Sequence, residues 1–176
     1  MAEFLIAYKE TLDFEGGKVN HKLDRGGQTY MGISRKNWPY WAGWRIIDQG
    51  HEPPIELVHD FYKLNFWDRI SLGAIINQKI ANELFDTGVN MHPKVSINLL
   101  QKSLNLLNRN GKLYPEITAD GILGSQTLKL TNEHPYPDAL LKLLNGLQLA
   151  RYVEICEADP TQEEFLRGWL KRVYFV

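Results

Sequence analysis

Cysteine is almost absent: Cys156 stands alone in 176 residues. A lone thiol cannot close an intrachain disulfide, and it excludes a cysteine-based zinc site. A reducing compartment suits such a chain without excluding export. A surplus of charge of either sign is also lacking. Twenty Lys and Arg against 21 Asp and Glu leave a formal charge of -1, so no broad positive field awaits the phosphates of a nucleic acid. Long apolar runs are missing, which predicts no membrane insertion. The first 18 residues carry Glu3, Glu10, Asp13 and Glu15, where a secretory signal needs a basic start and an unbroken apolar stretch. The chain reads as made in the cytoplasm without a recognisable signal peptide. Repeats and low-complexity segments are absent too.

What remains is ordinary globular chemistry with a heavy aromatic load. Hydrophobic residues make up 44% and charged residues 23%, enough to bury the core of one domain, or of one domain with a small appendage. Five tryptophans include Trp38, Trp41 and Trp44 at intervals of three, with Tyr40 beside them. This spacing suits a packed aromatic face. Flat rings also suit sugars, and Trp41 is the candidate for substrate contact; the two roles are compatible.

The periodicity is mostly helical. Phe4, Tyr8 and Leu12 recur on one face of residues 3 to 14, and Gly16-Gly17 stop that helix, which places Glu15 at its last turn. Residues 18 to 34 are polar and Gly-rich, and read as loops or a short irregular hairpin around Gly26-Gly27. After Pro53-Pro54, Ile55, Val58, Tyr62, Leu64 and Phe66 suggest one helical side. A second helix with Ile76, Ile80 and Leu84 on its face is expected to stop at the block Asp86 to Asn90. Another covers 93 to 108, opened by Pro93. Residues 112 to 119 read as extended. Asp120-Gly121 turns into a helix starting near Gly124 or Ser125. A longer helix runs from Pro137 to about Cys156. The last begins near Thr161, where Thr161 and Glu164 have capping-box spacing.

Glu15, Asp24 and Thr29 carry the candidate chemistry. Glycosidic hydrolysis needs one carboxylic acid to protonate the leaving oxygen, and a second group to hold a water or stabilise the oxocarbenium-like sugar. A Glu at a helix end and an Asp in a nearby Gly-rich turn suit those roles, and a Thr hydroxyl suits orientation of the water. Gly27 and its neighbours would let a sugar approach the backbone. The same residues also fit a purely structural account: glycines for turns, Asp24 as a turn cap, Glu15 solvated. His21 lies near the trio as a further substrate contact, against the plain alternative of a surface histidine. His51 and His59 stand on either side of Pro53-Pro54, so no metal site is expected, and no cofactor.

These segments resemble a known family. Phe14-Glu-Gly-Gly17, Val19-Asn20-His21, Asp24-Arg-Gly-Gly-Gln-Thr29 and Gly32-Ile-Ser34 look like the N-terminal signature of glycoside hydrolase family 108. Its members are N-acetylmuramidases, some of them called secretion activator proteins. Ala81-Asn-Glu-Leu-Phe-Asp-Thr-Gly-Val-Asn90 resembles the family's second block. Leu100-Gln101, Asp120-Gly121, Gly124, Thr127, Phe165-Leu-Arg-Gly-Trp169 and Arg172 resemble its peptidoglycan-binding C-terminal part.

The resemblance implies a mainly α, lysozyme-like fold, with helices around a small irregular hairpin region bearing the active site. It implies a catalytic region over 1–92 and a peptidoglycan-binding-like region over 93–176, packed as one compact unit. Glu15 matches the family's catalytic glutamate. Asp24 and Thr29 match by a more distant similarity to phage lysozymes, from which the Asp-to-Thr interval departs by one residue. Met91-His92-Pro93 departs where a small residue is common. Asn82, Asp86 and Asn90 lie in the second block as candidates to line the sugar cleft, or to cap a helix.

The implied reaction is hydrolysis of the β-1,4 bond between N-acetylmuramic acid and N-acetylglucosamine. Glu15 would act as an acid of raised pKa. The partner would be peptidoglycan, reached after holin-type release, and the enzyme a monomer. A lytic transglycosylase, a chitinase-like enzyme and a non-catalytic wall-binding or secretion-related module are the rivals.

Overall fold

Residues 1–13 and 28–173 are described by the structure, a computed structural model. Helix α1 spans Phe4–Asp13. It buries Phe4, Ala7, Tyr8 and Thr11, the positions its four-residue period selects. Strands β1 (Thr29–Tyr30) and β2 (Ile33–Ser34) pair antiparallel, Thr29 opposite Ser34 and Tyr30 opposite Ile33. The turn between them uses Met31 and Gly32, both at positive φ, as a two-residue type I′ hairpin requires. The hairpin therefore turns at 31–32; the expected turn at Gly26-Gly27 lies outside the described residues.

Helix α2 (Gly43–Asp48) buries Trp44. Arg35 ties the hairpin to this helix. It donates to Gln28 Oε1 (2.7 Å) and to both Asp48 carboxylate oxygens (2.6 and 2.7 Å), with its guanidinium over the Trp44 ring. Helix α3 (Ile55–Tyr62) widens into a π-helical turn over Lys63–Trp67 and then a 3₁₀ turn over Asp68–Ile70. In that π-helical turn Asn65 Nδ2 donates to the Phe61 carbonyl at 2.8 Å. The widened turn corrects the expected apolar face. Ile55 and Leu64 lie exposed, while Val58, Phe61, Tyr62 and Trp67 are buried. A 3₁₀ turn over Leu72–Ala74 leads to helix α4 (Gln78–Asn90). Asn77 caps α4, its side chain accepting from Lys79 N (3.0 Å) and Ile80 N (3.3 Å), so Ile76 stands before the helix and is exposed. Asp86 to Asn90 form its last turns rather than a loop that ends it. Every residue from Ile80 to Gly88 is buried, which makes α4 the central element.

Helix α5 (Pro93–Leu107) packs on α4. No strand forms over 112–119. Asn105 instead clamps that segment as a strand neighbour would, its amide donating to Ile117 O (2.8 Å) and its carbonyl accepting from Ile117 N (2.9 Å). Helix α6 (Ser125–Asn132) starts behind Gly124, as its turn residues predict. Helix α7 (Pro137–Ala158) packs on α4 and α5, with Cys156 buried on it. The Thr161–Glu164 capping box does not form. Asp159 accepts from Thr161 N (3.1 Å) and Thr161 Oγ1 (2.7 Å) and caps a 3₁₀ turn over Pro160–Gln162. Helix α8 (Glu163–Trp169) and a 3₁₀ turn over Leu170–Arg172 complete the described chain. Among the described residues no helix is long and apolar enough to cross a membrane.

The turn before α6 docks on Gln101, a fully buried amide. Gln101 donates to Asp120 Oδ1 (2.8 Å) and accepts from Gly121 N (2.8 Å). Gly121 sits at φ +76°, and a Cβ there would lie 2.4 Å from Lys94 Cγ and 3.0 Å from the Lys94 carbonyl oxygen. Gly121→Ala is therefore expected to cost about 1–3 kcal/mol, from a left-handed backbone and a forced shift of α5. A thermal melt should drop by several degrees; an unchanged melt would show that the turn relaxes freely.

Candidate active site

Helix α4 carries a buried polar stripe at helical spacing, Asn82, Glu83 and Asp86, with the half-buried Asn90 at its end. Each member has a partner on another element or one turn away. Gln78 and Asn82 lay α1 along α4. Gln78 accepts from Glu3 N (2.7 Å), and its amide donates to Glu3 O (3.0 Å) and Asn82 Oδ1 (2.6 Å). Asn82 Nδ2 in turn donates to the Glu10 carboxylate. Helix α1 is thereby held against α4 at both Glu3 and Glu10.

Asp86 is 8% exposed and accepts from Arg172 Nη1 (2.9 Å), Gln148 Nε2 on α7 (2.8 Å) and Asn90 Nδ2 (3.2 Å). Burial pushes its carboxyl up, and Arg172, Gln148 and Asn90 pull it back. A shell made of donors serves the ionised form. Glu83 lies one turn earlier and is 6% exposed. Burial first, then the neighbouring Asp86, push its pKa up to about 8; the Thr87 hydroxyl (3.5 Å) and Asn145 oppose this, and Glu10 adds to it. At neutral pH Glu83 therefore holds its proton, and burial raises both carboxyls of the pair, with donors around Asp86 opposing the rise there.

These groups face a cavity of about 430 Å³, lined by Glu10, Thr11, Lys79, Asn82, Glu83 and Asp86 on one side and by Asp138, Leu141, Lys142, Asn145 and Arg172 on the other. Both halves of the chain build it. Its volume lies in the range of small-molecule sites, and its charges are mixed.

The hairpin supports a second, aromatic surface. Trp41, half-buried, stacks on Tyr30 (5.9 Å between centroids, 28°) and meets Trp44 edge-on at 5.1 Å. Its indole N–H donates to Leu57 O at 3.4 Å. Trp44 is core and donates to Trp38 O (2.7 Å); Trp38 lies edge-on to Phe61. The three tryptophans do pack together, but only Trp44 is helical. Trp38 and Trp41 lie in the turns before α2. A groove of about 410 Å³ runs beside them, lined by Trp38, Tyr40, Trp41, Leu57, Phe61 and Leu64 among others. Tyr40 is 97% exposed at its edge.

Of the residues expected from sequence, Glu15, His21, Asp24 and Gly27 lie outside the described residues. Thr29 opens β1 and is half-buried. Asn82 and Asp86 are brought together on the cavity wall, and Asn90 reaches them through its bond to Asp86. Trp41 lies on the aromatic surface instead. Glu83, Gln148 and Arg172 were not among the expected site residues. The acid pair had a legible signal, since Glu83 and Asp86 are three apart in a helix whose neighbours are apolar. Gln148 had none, and Arg172 was marked only by the resemblance of the C-terminal part; they lie 62 and 86 residues from Asp86.

The fold and this arrangement define a mainly helical, lysozyme-like protein with a small two-stranded hairpin. Residues 8–91 match the glycosyl hydrolase 108 family, and residues 95–174 match the family described as Predicted Peptidoglycan domain. The N-terminal half of the chain is thus similar to glycosyl hydrolase 108 and the C-terminal half to the predicted peptidoglycan domain. Among solved structures the chain is similar to that of Brucella abortus SagA, with a TM-score of 0.66 over 97% of this chain and 88% of that one. The two are 23% identical, so the likeness is one of fold. No curated protein matches the chain.

Proposed function

We propose that this chain hydrolyses the β-1,4 bond between N-acetylmuramic acid and N-acetylglucosamine in peptidoglycan, acting as a monomer. The observation that carries the reading is the match of residues 8–91 to glycosyl hydrolase 108, a span that contains Glu15, Asp24 and Thr29 in order. The mainly helical, lysozyme-like fold supports it, with Thr29 opening β1 of the small hairpin. Glu15 donates its proton to the leaving O4 as the glycosidic bond breaks. Asp24, ionised, holds a water or faces the positive charge that develops on the sugar. Thr29 hydrogen-bonds the same water. The trio's likeness to that of phage lysozymes favours inversion at the anomeric carbon.

Digestion of purified cell walls in H₂¹⁸O, followed by mass spectrometry, tests the reading. Hydrolysis releases muropeptides with a reducing muramic acid carrying one heavy oxygen. Anhydromuramyl ends without the label would make the enzyme a lytic transglycosylase. Wall binding without any released product would make it a binding module. Cleavage of N-acetylglucosamine polymers in preference to wall would make it chitinase-like.

A further inference from the structure

We propose that the aromatic groove between the turns before α2 and the π-helical turn after α3 is a binding site for an uncharged, N-acetylated pyranose of the N-acetylglucosamine type. No described residue lines both this groove and the cavity on α4. The proposal concerns binding alone and does not rest on the proposed reaction.

The floor of the groove is fixed by the fold. Trp38 lies edge-on to Phe61 (4.9 Å, 88°) and to Phe66 (6.2 Å, 66°). Trp41 is stacked on Tyr30, meets Trp44 edge-on, and spends its N–H on Leu57 O. Rings held in this way lose little freedom when a ligand lies on them. The lips differ. Tyr40 is 97% exposed and Leu64 68% exposed, so burial of these side chains contributes little to folding. Leu64 reaches the groove through the π-helical turn Lys63–Trp67, a geometry that is rare and recurs at functional sites. Scattered exposed apolar residues are ordinary, whereas two that flank immobilised rings in one groove mark a contact surface.

The polar lining selects the ligand. Asn65 donates Nδ2 to Phe61 O at 2.8 Å, which fixes its amide and leaves Oδ1 as an acceptor with no partner among the described residues. Asp60 is exposed and is the single charged residue in the lining. Lys63, three residues further on, is held by Asp68 at 2.6 Å. The groove thus offers flat apolar rings, two acceptors and no cation. A pyranose has C–H faces for the rings and hydroxyls for the acceptors. An acetamido group adds an N–H for a bare carbonyl oxygen and a methyl for an apolar lip. A carboxylate or phosphate on the sugar would meet Asp60 with like charge. Charge complementarity therefore favours the uncharged sugar over an acidic one. The groove's volume of about 410 Å³ suits a ligand of this size.

The experiment titrates the full chain with N-acetylglucosamine, with N-acetylmuramic acid, which is the same ring carrying a carboxylate, and with glucose, which lacks the acetamide. Protein NMR spectra locate each ligand. N-acetylglucosamine should shift the indole N–H signals of Trp38 and Trp41 and the side-chain amide of Asn65, saturating with a Kd on the order of millimolar. N-acetylmuramic acid should bind the groove about fivefold more weakly, and glucose more weakly as well. Asp60→Lys should remove or invert the preference between the first two. Tyr40→Ala/Leu64→Ala changes only exposed side chains, so the remaining amide signals should stay in place, while affinity should fall about five- to tenfold. Three results would overturn the proposal. One is N-acetylglucosamine that leaves these three signals unmoved. Another is equal groove affinity for the charged and uncharged sugars. The third is broadening of the same signals with protein concentration and no sugar, which would assign the groove to a second copy of the chain. Loss of wall hydrolysis in any assay bears on the proposed reaction and leaves these outcomes unchanged.

Discussion

Glutamine at position 15 is expected to remove nearly all turnover and leave wall binding intact. The amide has the shape of the acid and no proton to give. The O4 leaving group would then depart as an alkoxide, while a charged Asp24 would still stabilise the sugar, so the loss is that of general acid catalysis alone, about 10²- to 10⁴-fold in kcat. Asp24→Asn should cost a similar factor by a different route, weakening stabilisation of the oxocarbenium-like state. Thr29→Ala should cost less. Its strand partner is Ser34, through the β1–β2 ladder, and backbone pairing survives the change, so only the hydroxyl is lost. Turbidity of a wall suspension and release of reducing sugar measure all three, with co-sedimentation to report binding. Glu15→Gln at wild-type rate would leave the chain without its proposed acid, and a fall in co-sedimentation equal to the fall in rate would turn the effect into one of affinity.

The sequence foretold the helices best where one apolar face meets one neighbour. The period in α1, the Pro93 start of α5 and the Gly124 start of α6 are local signals, and each appears where its residues put it. Expectation and structure part where a side chain reaches across the fold to replace a backbone partner. Asn105 does the work expected of a strand at 112–119, and the π turn after Tyr62 rotates Leu64 out to solvent. Asp159, two residues before Thr161, takes the capping role. The site shows the same division. A family-like block pointed to Asn82, Asp86 and Asn90, but their roles depend on Glu10, Gln148 and Arg172, which only folding brings together. Burial of a whole polar stripe on α4 cannot be read from a pattern that assigns charged residues to the surface.

That buried stripe predicts a distinctive response to pH. An unfolded Glu titrates near 4.5, whereas Glu83 in the fold titrates at about 8. Between those values the native protein keeps a proton that the unfolded chain has released. The contribution of Glu83 to stability is therefore complete below about pH 4.5 and is lost steadily as pH rises towards 8, by an amount on the order of a few kcal/mol. Glu83→Gln abolishes the titration while keeping a neutral group of the same shape. Other carboxylates shift the absolute stability at acid pH, so the informative quantity is the difference between variant and wild type. That difference should be small at about pH 5 and should favour the variant by several degrees of melting temperature at about pH 9. The charged groups around Glu83 set the sign. Asp86 and Glu10 oppose its ionisation, and Arg172, across the cavity wall, is engaged with Asp86. An ionised Glu83 would stand one helical turn from Asp86 and compete for that cation. The same pH rise should thus weaken the hold of Arg172 on Asp86, an effect absent from Glu83→Gln. A variant whose melting temperature differs from wild type equally at both pH values would mean that Glu83 does not titrate in this window, and that the pair on α4 shares its proton differently.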